Sequence, residues 1–436
     1  MWPKRSTLAI FLVGTNKKGV MMTIKHSSFF KAILQLTIGS AIGQLITLAA
    51  SPVITRVYSV EDMGKATLVI TIIAIFGPVI NGKYDYAIVS TEETAAVSSL
   101  LAVGAEVMVL LTALVGVGLW GINTVFPAIF SGVGNTVYYT LPLLLSIGVT
   151  NLLTAFNNRQ KGYQLMSQVY IKRIFFQNFF SILLGSLKFG GGGMLLAQLI
   201  GNLVGLGKQS RLLRQKKHEY GCIKKRDMWQ VLKKYRTFPL YTLPAALVSS
   251  LSYSILNFFI SDLFGLYILG IYSLTYRILG MPLMLISNNI SKVFFKEAAD
   301  EFAQTVGYLQ ALKKATFLLV AAAIPMVLIL VFFSPILFAL VFGEKWRLAG
   351  EYAQILAPMF GIRLIVSALM PAFIVKKKQH LELFFQSLFL VGSITCFFIT
   401  RIFHLSINEF LIFFSVWNSL VYGAIYIYLL ISGRKK

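Results

Sequence analysis

Apolar residues along this chain come in long unbroken runs, not in alternating or one-faced patterns. The clearest case lies between Ile33 and Val89, where two such runs flank a short polar knot from Thr55 to Lys65 and end at a charged exit, Lys83-Tyr84-Asp85. Each run is about 20 residues long, enough as a helix to cross a hydrocarbon layer of about 30 Å. The arrangement repeats to the end of the chain. It predicts twelve spanning helices near residues 31–55, 63–82, 95–120, 138–157, 173–188, 191–210, 238–261, 266–290, 314–341, 350–374, 381–400 and 407–431. The fifth and sixth are parted only by the Gly-rich turn Gly190–Gly193.

Composition agrees with this pattern. The chain is 57% hydrophobic and 13% charged, with a mean hydropathy of +0.75, whereas a soluble domain is nearer half apolar and a quarter charged. Between Glu106 and Arg159 there is no Asp, Glu, Lys or Arg. The expected fold is all-α and polytopic, with about 12 transmembrane helices in two six-helix lobes around a central cavity. Residues 1–30 form a cytoplasmic N-terminal segment, 31–210 an N lobe, 211–236 a basic linker and 237–436 a C lobe.

The formal net charge of +24 raises the question of nucleic acid, but the distribution answers it differently. One alternating set of loops holds the N-terminal lysines, Lys83, Arg159 to Arg173, the run from Lys208 to Arg236, Lys292 to Lys314, Lys376 to Lys378 and Arg434 to Lys436. The other set has only Arg56, Lys65, Lys188, Lys345, Arg347 and Arg401. Positive flanks are retained in the cytoplasm on insertion, so both termini are expected there, and no nucleic-acid partner is implied. The run from Lys208 to Arg236 carries eleven Lys and Arg and reads as a solvated tether resting on anionic headgroups. At 291–311, Phe294, Ala298, Phe302 and Val306 recur every four residues, the mark of an amphipathic helix lying in the interface. Cys222 falls in a basic loop and Cys396 in an apolar run, so no disulfide is expected. The apolar run from Leu8 to Gly14 is too short to span and lacks a cleavage site; translation starting at Met21 or Met22 would lead directly into the first helix.

Enzyme signatures are missing: no phosphate loop ending in Gly-Lys-Ser/Thr, no His-Glu-x-x-His, and no cysteines at metal spacing. His26, His218, His380 and His404 all fall in loops or at span ends, and neither metal nor cofactor is expected. The candidate chemistry is charge inside the membrane. Arg277 and Arg363 lie deep in the eighth and tenth spans and Glu106 near the middle of the third, with Arg56 and Lys65 shallower. A charge at mid-bilayer costs about 2.5 to 3.5 kcal/mol on insertion scales, so such residues face water or a partner. Arg56, Arg277 and Arg363 around one cavity would suit an anionic ligand, since guanidinium grips phosphate oxygens in bidentate fashion. Glu106 is a candidate for ion coupling, exchanging a proton during transport, or else a structural partner for an intramembrane arginine. Prolines in or beside the spans, Pro78, Pro239, Pro244, Pro325, Pro358 and Pro371, suit bent helices. A short echo links the halves: Tyr58 precedes Gly64 by six residues and Phe264 precedes Gly270 by six, each glycine opening a span. Paired repeats of this kind build two-lobed transporters.

The opening hairpin also resembles a family. Ser51, Pro52, Thr55, Arg56, Tyr58, Ser59, Glu61, Asp62 and Gly64, followed by Tyr84, Asp85, Ala87 and Ile88, are similar to the N-terminal signature of the Wzx-type polysaccharide flippases. These belong to the MOP (multidrug/oligosaccharidyl-lipid/polysaccharide) superfamily, which also holds the lipid II flippases and the MATE drug exporters. The match covers about forty residues, and Gly270-Ile-Tyr-Ser-Leu-Thr-Tyr-Arg277 is a softer echo. The resemblance implies a flippase of the bacterial cytoplasmic (inner) membrane. It would carry undecaprenyl-pyrophosphate-linked oligosaccharide repeat units to the outer leaflet for O-antigen, capsule or a related glycan. It further implies two lobes alternating about a cationic cavity, Arg56 and Arg277 facing pyrophosphate and acidic sugars, and a polymerase and a chain-length regulator as candidate partners beside the membrane lipids. Two other readings stand beside it. A MATE-like small-molecule exporter would favour acidic cavity residues, and a membrane glycan polymerase or ligase would need longer outer loops than Gly121 to Asn135 provides.

Overall fold

The computed structural model describes residues 18–91, 93–94, 96–130, 132–215, 225–305, 307–376 and 378–434. The first seventeen residues and Cys222, His218 and Val306 lie outside them. The described chain is helical throughout. In order it forms α1 (Lys18–Val57), α2 (Val60–Phe76), α3 (Tyr84–Ser90), α4 (Ala96–Val125), α5 (Thr140–Arg159), α6 (Tyr163–Ser186), α7 (Gly190–Leu203) and α8 (Leu206–Gln215). Then follow α9 (Lys225–Lys234), α10 (Leu243–Pro282), α11 (Asn288–Thr305), α12 (Leu309–Phe342), α13 (Arg347–Leu369), α14 (Gln379–Phe403) and α15 (Ile407–Gly433).

Among the described residues ten helical segments are long and apolar enough to cross a membrane. The two further spans expected from sequence are hidden for separate reasons. α10 is two limbs: Gly265 sits at φ 81° and ψ 175°, outside the helical region, and the chain reverses there. Leu243 and Leu247 of the first limb line one hollow together with Phe76 at the end of α2, while Gly270 of the second limb lies against Val60 at its start. α6 is long enough, but Lys172, Arg173, Gln177 and Asn178 dilute its hydropathy. It starts ten residues before the expected Arg173 and its polar residues have work to do, as described below.

The strongest junction between the lobes lies on the side away from the basic loops, and it is built from the recognisable hairpin. Ser59 and Asp62 form a capping box that starts α2, which fixes the turn after α1. Tyr58, 2% exposed, donates its hydroxyl to the Ser181 carbonyl on α6 at 2.8 Å. Thr55 Oγ1 donates to the Phe342 carbonyl at 3.3 Å, Trp346 Nε1 donates to the Thr55 carbonyl at 3.1 Å, and Lys345 Nζ reaches the Tyr58 carbonyl at 2.8 Å. Beside this seam α2 and the second limb of α10 cross at Gly64 and Gly270. A Cβ on Gly64 would collide with the Leu266 carbonyl, and one on Gly270 with the Val60 carbonyl. The two echoing glycines of the sequence therefore pack against each other's helices.

On the basic side the lobes are bridged more lightly, by Gln44 Nε2 to Met284 Sδ at 3.3 Å and Lys292 Nζ to Thr37 Oγ1 at 2.7 Å. α11 covers the first part of the amphipathic stretch expected at 291–311, with Phe294 and Ala298 buried and Lys296 and Asp300 exposed; it ends at Thr305, and Leu309 already opens α12. The basic linker departs from a plain tether. Its α9 packs on the N lobe through Val231, 6% exposed, Lys234 Nζ meets Glu93 at 2.5 Å, and the Tyr235 and Thr91 hydroxyls lie 2.8 Å apart.

Gly270→Ala is expected to destabilise the purified protein by about 1 to 3 kcal/mol, the usual cost of overpacking, read as a lowered thermal midpoint. Gly121→Ala, with open space around the added methyl, is expected to leave that midpoint unchanged or slightly raised.

Candidate functional site

Between the lobes lies a cavity of about 630 Å³. Its C-lobe wall is the second limb of α10 with the helical turn Leu283–Ser287 that follows it, held to α13 by two hydroxyls on either side of Arg277: Thr275 Oγ1 donates to the Ala349 carbonyl at 2.8 Å and Ser287 Oγ to the Leu364 carbonyl at 2.7 Å. Arg277 and Arg363 both line the space. Tyr276 orients Arg363, accepting a hydrogen bond from Nη1 at 2.5 Å. The guanidinium also lies over the Tyr276 ring at 5.5 Å and the Phe360 ring at 5.4 Å, so cation–π attraction and a hydrogen bond fix it together. Arg277 makes no hydrogen bond or ion pair among the described residues. It reaches the cavity with its donors uncommitted.

The N-lobe wall is neutral. Gln44 and Thr47 come from α1, Gln177, Asn178 and Ser181 from α6, and Gln198 from α7. Gln177 and Asn178 are two of the four residues that dilute the hydropathy of α6: there it exchanges apolar area for amides because one of its faces is wet. No Asp or Glu lines the cavity among the described residues. The chamber is thus cationic on one wall and amide-lined on the other, a setting in which an anion with several acceptor oxygens is held by charge-assisted bonds from one side and neutral donors from the other.

Two of the four sequence candidates do not join it. Arg56 is exposed at the end of α1, donating to the Pro52 carbonyl of its own helix at 3.4 Å. Its neighbours Thr55 and Tyr58 turn inward to the seam, and the helical twist carries Arg56 outward. Glu106 is exposed on α4, on the face that also presents Leu110, Leu114 and Val117, so it stands on the outer surface of the N lobe and meets neither arginine. The sequence reading missed Gln44, Gln177, Asn178, Gln198 and Tyr276. Their signal was present as polar residues recurring at helical spacing within apolar spans, Gln44 with Thr47 and Gln177 with Ser181. No group of His, Cys, Asp and Glu among the described residues is placed to hold a metal.

The family model of polysaccharide biosynthesis proteins matches residues 139–351, just under half of the chain. The teichuronic acid biosynthesis protein TuaB of Bacillus subtilis (strain 168) is 26% identical over 156 residues, 36% of this chain and 32% of that protein; the aligned part spans about a third of that relative's length. Among solved structures, the lipid II flippase MurJ in an inward closed conformation superposes with a TM-score of 0.71 at 14% identity, covering 92% of this chain and 87% of that one. The MATE transporter VcmN of Vibrio cholerae gives 0.59 at 15% identity, covering 92% and 95%. A MOP superfamily transporter from Pyrococcus furiosus, described by the reverse polarity of its binding pocket, gives 0.57 at 18% identity, covering 92% and 95%. The resemblance read from the opening hairpin therefore holds for the fold: the chain is a multi-pass membrane protein with the architecture of these transporters and flippases.

Inorganic pyrophosphate titrated into the purified protein is expected to bind Tyr276→Phe about tenfold more weakly than wild type, the scale of one hydrogen bond to a charged group. Arg277→Ala is expected to lose more, and Arg56→Ala nothing; calorimetry checks all three.

Proposed function

We propose that this protein is a flippase that moves undecaprenyl-pyrophosphate-linked oligosaccharide repeat units from the inner to the outer leaflet of the bacterial cytoplasmic membrane. The observation that carries the reading is the pair of guanidinium groups, Arg277 and Arg363, lining a chamber with no carboxylate among its described residues. A pyrophosphate linked to a lipid carries the charge and the acceptor oxygens that such a wall recruits. The amides of the facing wall suit hydroxyl-rich sugars. The family match to polysaccharide biosynthesis supports a glycan cargo, and the loop-charge asymmetry supports placing the basic side in the cytoplasm. In this reading the chamber opens toward the cytoplasm, where lightly bridged helices part to admit the headgroup, while the Gly64–Gly270 crossing keeps the opposite side shut. Transport exchanges the two states by alternating access.

A small-molecule exporter shares the fold. Cationic drugs, however, call for a carboxylate in the binding chamber, and the chamber's charge has the opposite sign.

In a strain lacking this chain, complementation with Arg277→Ala is expected to give membrane-inserted protein and no surface glycan, while Arg56→Ala restores the glycan. Immunoblotting of membranes and glycan staining of cells read the two halves of this result. Normal glycan with Arg277→Ala would remove the arginine wall from the mechanism.

A further inference from the structure

Gln198 and Ile70 line the central chamber and also a second hollow inside the N lobe, of about 480 Å³. Lys83, Asp85, Tyr86 and Asn151 close its other sides. A third hollow of about 360 Å³ shares Asp85, Tyr86 and Asn151 and continues along α5 to Asn158. Together they form a trough beside the arginine chamber within the N lobe, with polar groups set among apolar ones such as Ile73, Pro78 and Ile147.

Three of its polar atoms are unmatched, although Asn151 Nδ2 donates to the Gly77 carbonyl and backbone N–H groups of Asp85 and Tyr86 favour the Asp85 carboxylate. Lys83 holds a left-handed backbone, φ 63°, which a residue with a side chain adopts at some cost and which recurs at functional sites. It is 6% exposed, yet Nζ meets no hydrogen-bond acceptor among the described residues, only the Tyr86 ring at 4.6 Å. Oδ1 of Asp85 and Oε1 of Gln198 are buried and lack a protein donor among the described residues. Burial pushes the Asp85 carboxyl above the usual carboxylate range and the Lys83 ammonium below the usual lysine range, and each group partly offsets the other's shift by its charge. Tyr86 is 53% exposed and offers an aromatic face beside them.

A buried donor or acceptor left unmatched is costly, so this trough suits a ligand that supplies both kinds of partner. A second phosphate does not fit, because Asp85 and the Gln198 carbonyl oxygen would repel it. Sugar hydroxyls donate and accept in turn, and the apolar face of a pyranose ring packs on an aromatic side chain. The geometry points to the Lys83–Asp85–Tyr86 trough as the subsite for the saccharide part of the cargo, separate from the arginines that hold its pyrophosphate. This inference rests on the flippase reading and assigns the two ends of one substrate to two lobes.

The test measures binding of two lipids to the full chain in nanodiscs: undecaprenyl pyrophosphate, and the glycan-bearing lipid that accumulates in the strain lacking this chain. Wild type is expected to bind the glycan-bearing lipid about tenfold more tightly, the worth of one or two hydrogen bonds and a ring contact. Tyr86→Ala, at a half-exposed position, and Lys83→Asn, which suits a left-handed backbone, are expected to bring that ratio close to one and leave the bare lipid's affinity as it was. Arg277→Ala weakens both lipids. A ratio near one in wild type, or a ratio unchanged in both trough variants, overturns the subsite and leaves the flippase reading standing. If neither lipid binds wild type, the flippase reading itself falls and the subsite with it.

Discussion

A guanidinium cannot rest in hydrocarbon, and this protein places two of them deep in its spans, lining a chamber with no Asp or Glu among its described residues. That constraint orders the rest of the structure. The arginines must be wet, so the lobes stand apart around them. Lobes that stand apart in mid-membrane must be held elsewhere, and the seam of Thr55, Tyr58, Lys345 and Trp346 with the Gly64–Gly270 crossing does so on one side. The price is a stretch of α6 too polar to read as a membrane span.

The two walls divide the labour. The C lobe supplies charge from a rigid pair of helices, with Tyr276 anchoring Arg363 while the adjacent Arg277 stays free to engage a ligand. The N lobe supplies amides, and beyond Gln198 a trough of unmatched polar groups. A cargo with an anionic end and a hydroxyl-rich end would bridge the lobes, and its binding would bias how far apart they sit. Such a bias is what couples occupancy to a conformational change.

How much of this the sequence disclosed follows from what a one-dimensional pattern encodes. Run length gives depth in the membrane, and depth picked out Arg277 and Arg363. Depth says nothing about direction around a helix, where each residue turns about 100°, so Glu106 and Arg56 ranked as cavity candidates although both face outward. The signature of Ser59, Asp62 and Gly64 was legible as a motif; its role as cap and crossing point was not, because the helix that Gly64 meets lies two hundred residues away. The reversal at Gly265 was legible as the gap between the runs 238–261 and 266–290, whereas the start of α6 was placed ten residues late because polar residues lower its hydropathy. Lys83 and Asp85 were visible as a charged exit, but their inward turn depends on a left-handed backbone that only the folded chain reveals.

The central claim, a wet and cationic chamber, is most directly tested by the chemistry of a single thiol inside it. With Cys222 and Cys396 replaced by serine and alanine, Gln177→Cys places a thiol on the chamber wall. Its reaction rates with anionic sulfonatoethyl and cationic trimethylammonioethyl methanethiosulfonate can then be compared, each scaled to a fully exposed cysteine. The account predicts faster labelling by the anionic reagent, with the preference abolished when Arg277 and Arg363 are both changed to glutamine. A thiol that neither reagent reaches, or one that favours the cationic reagent, would contradict it.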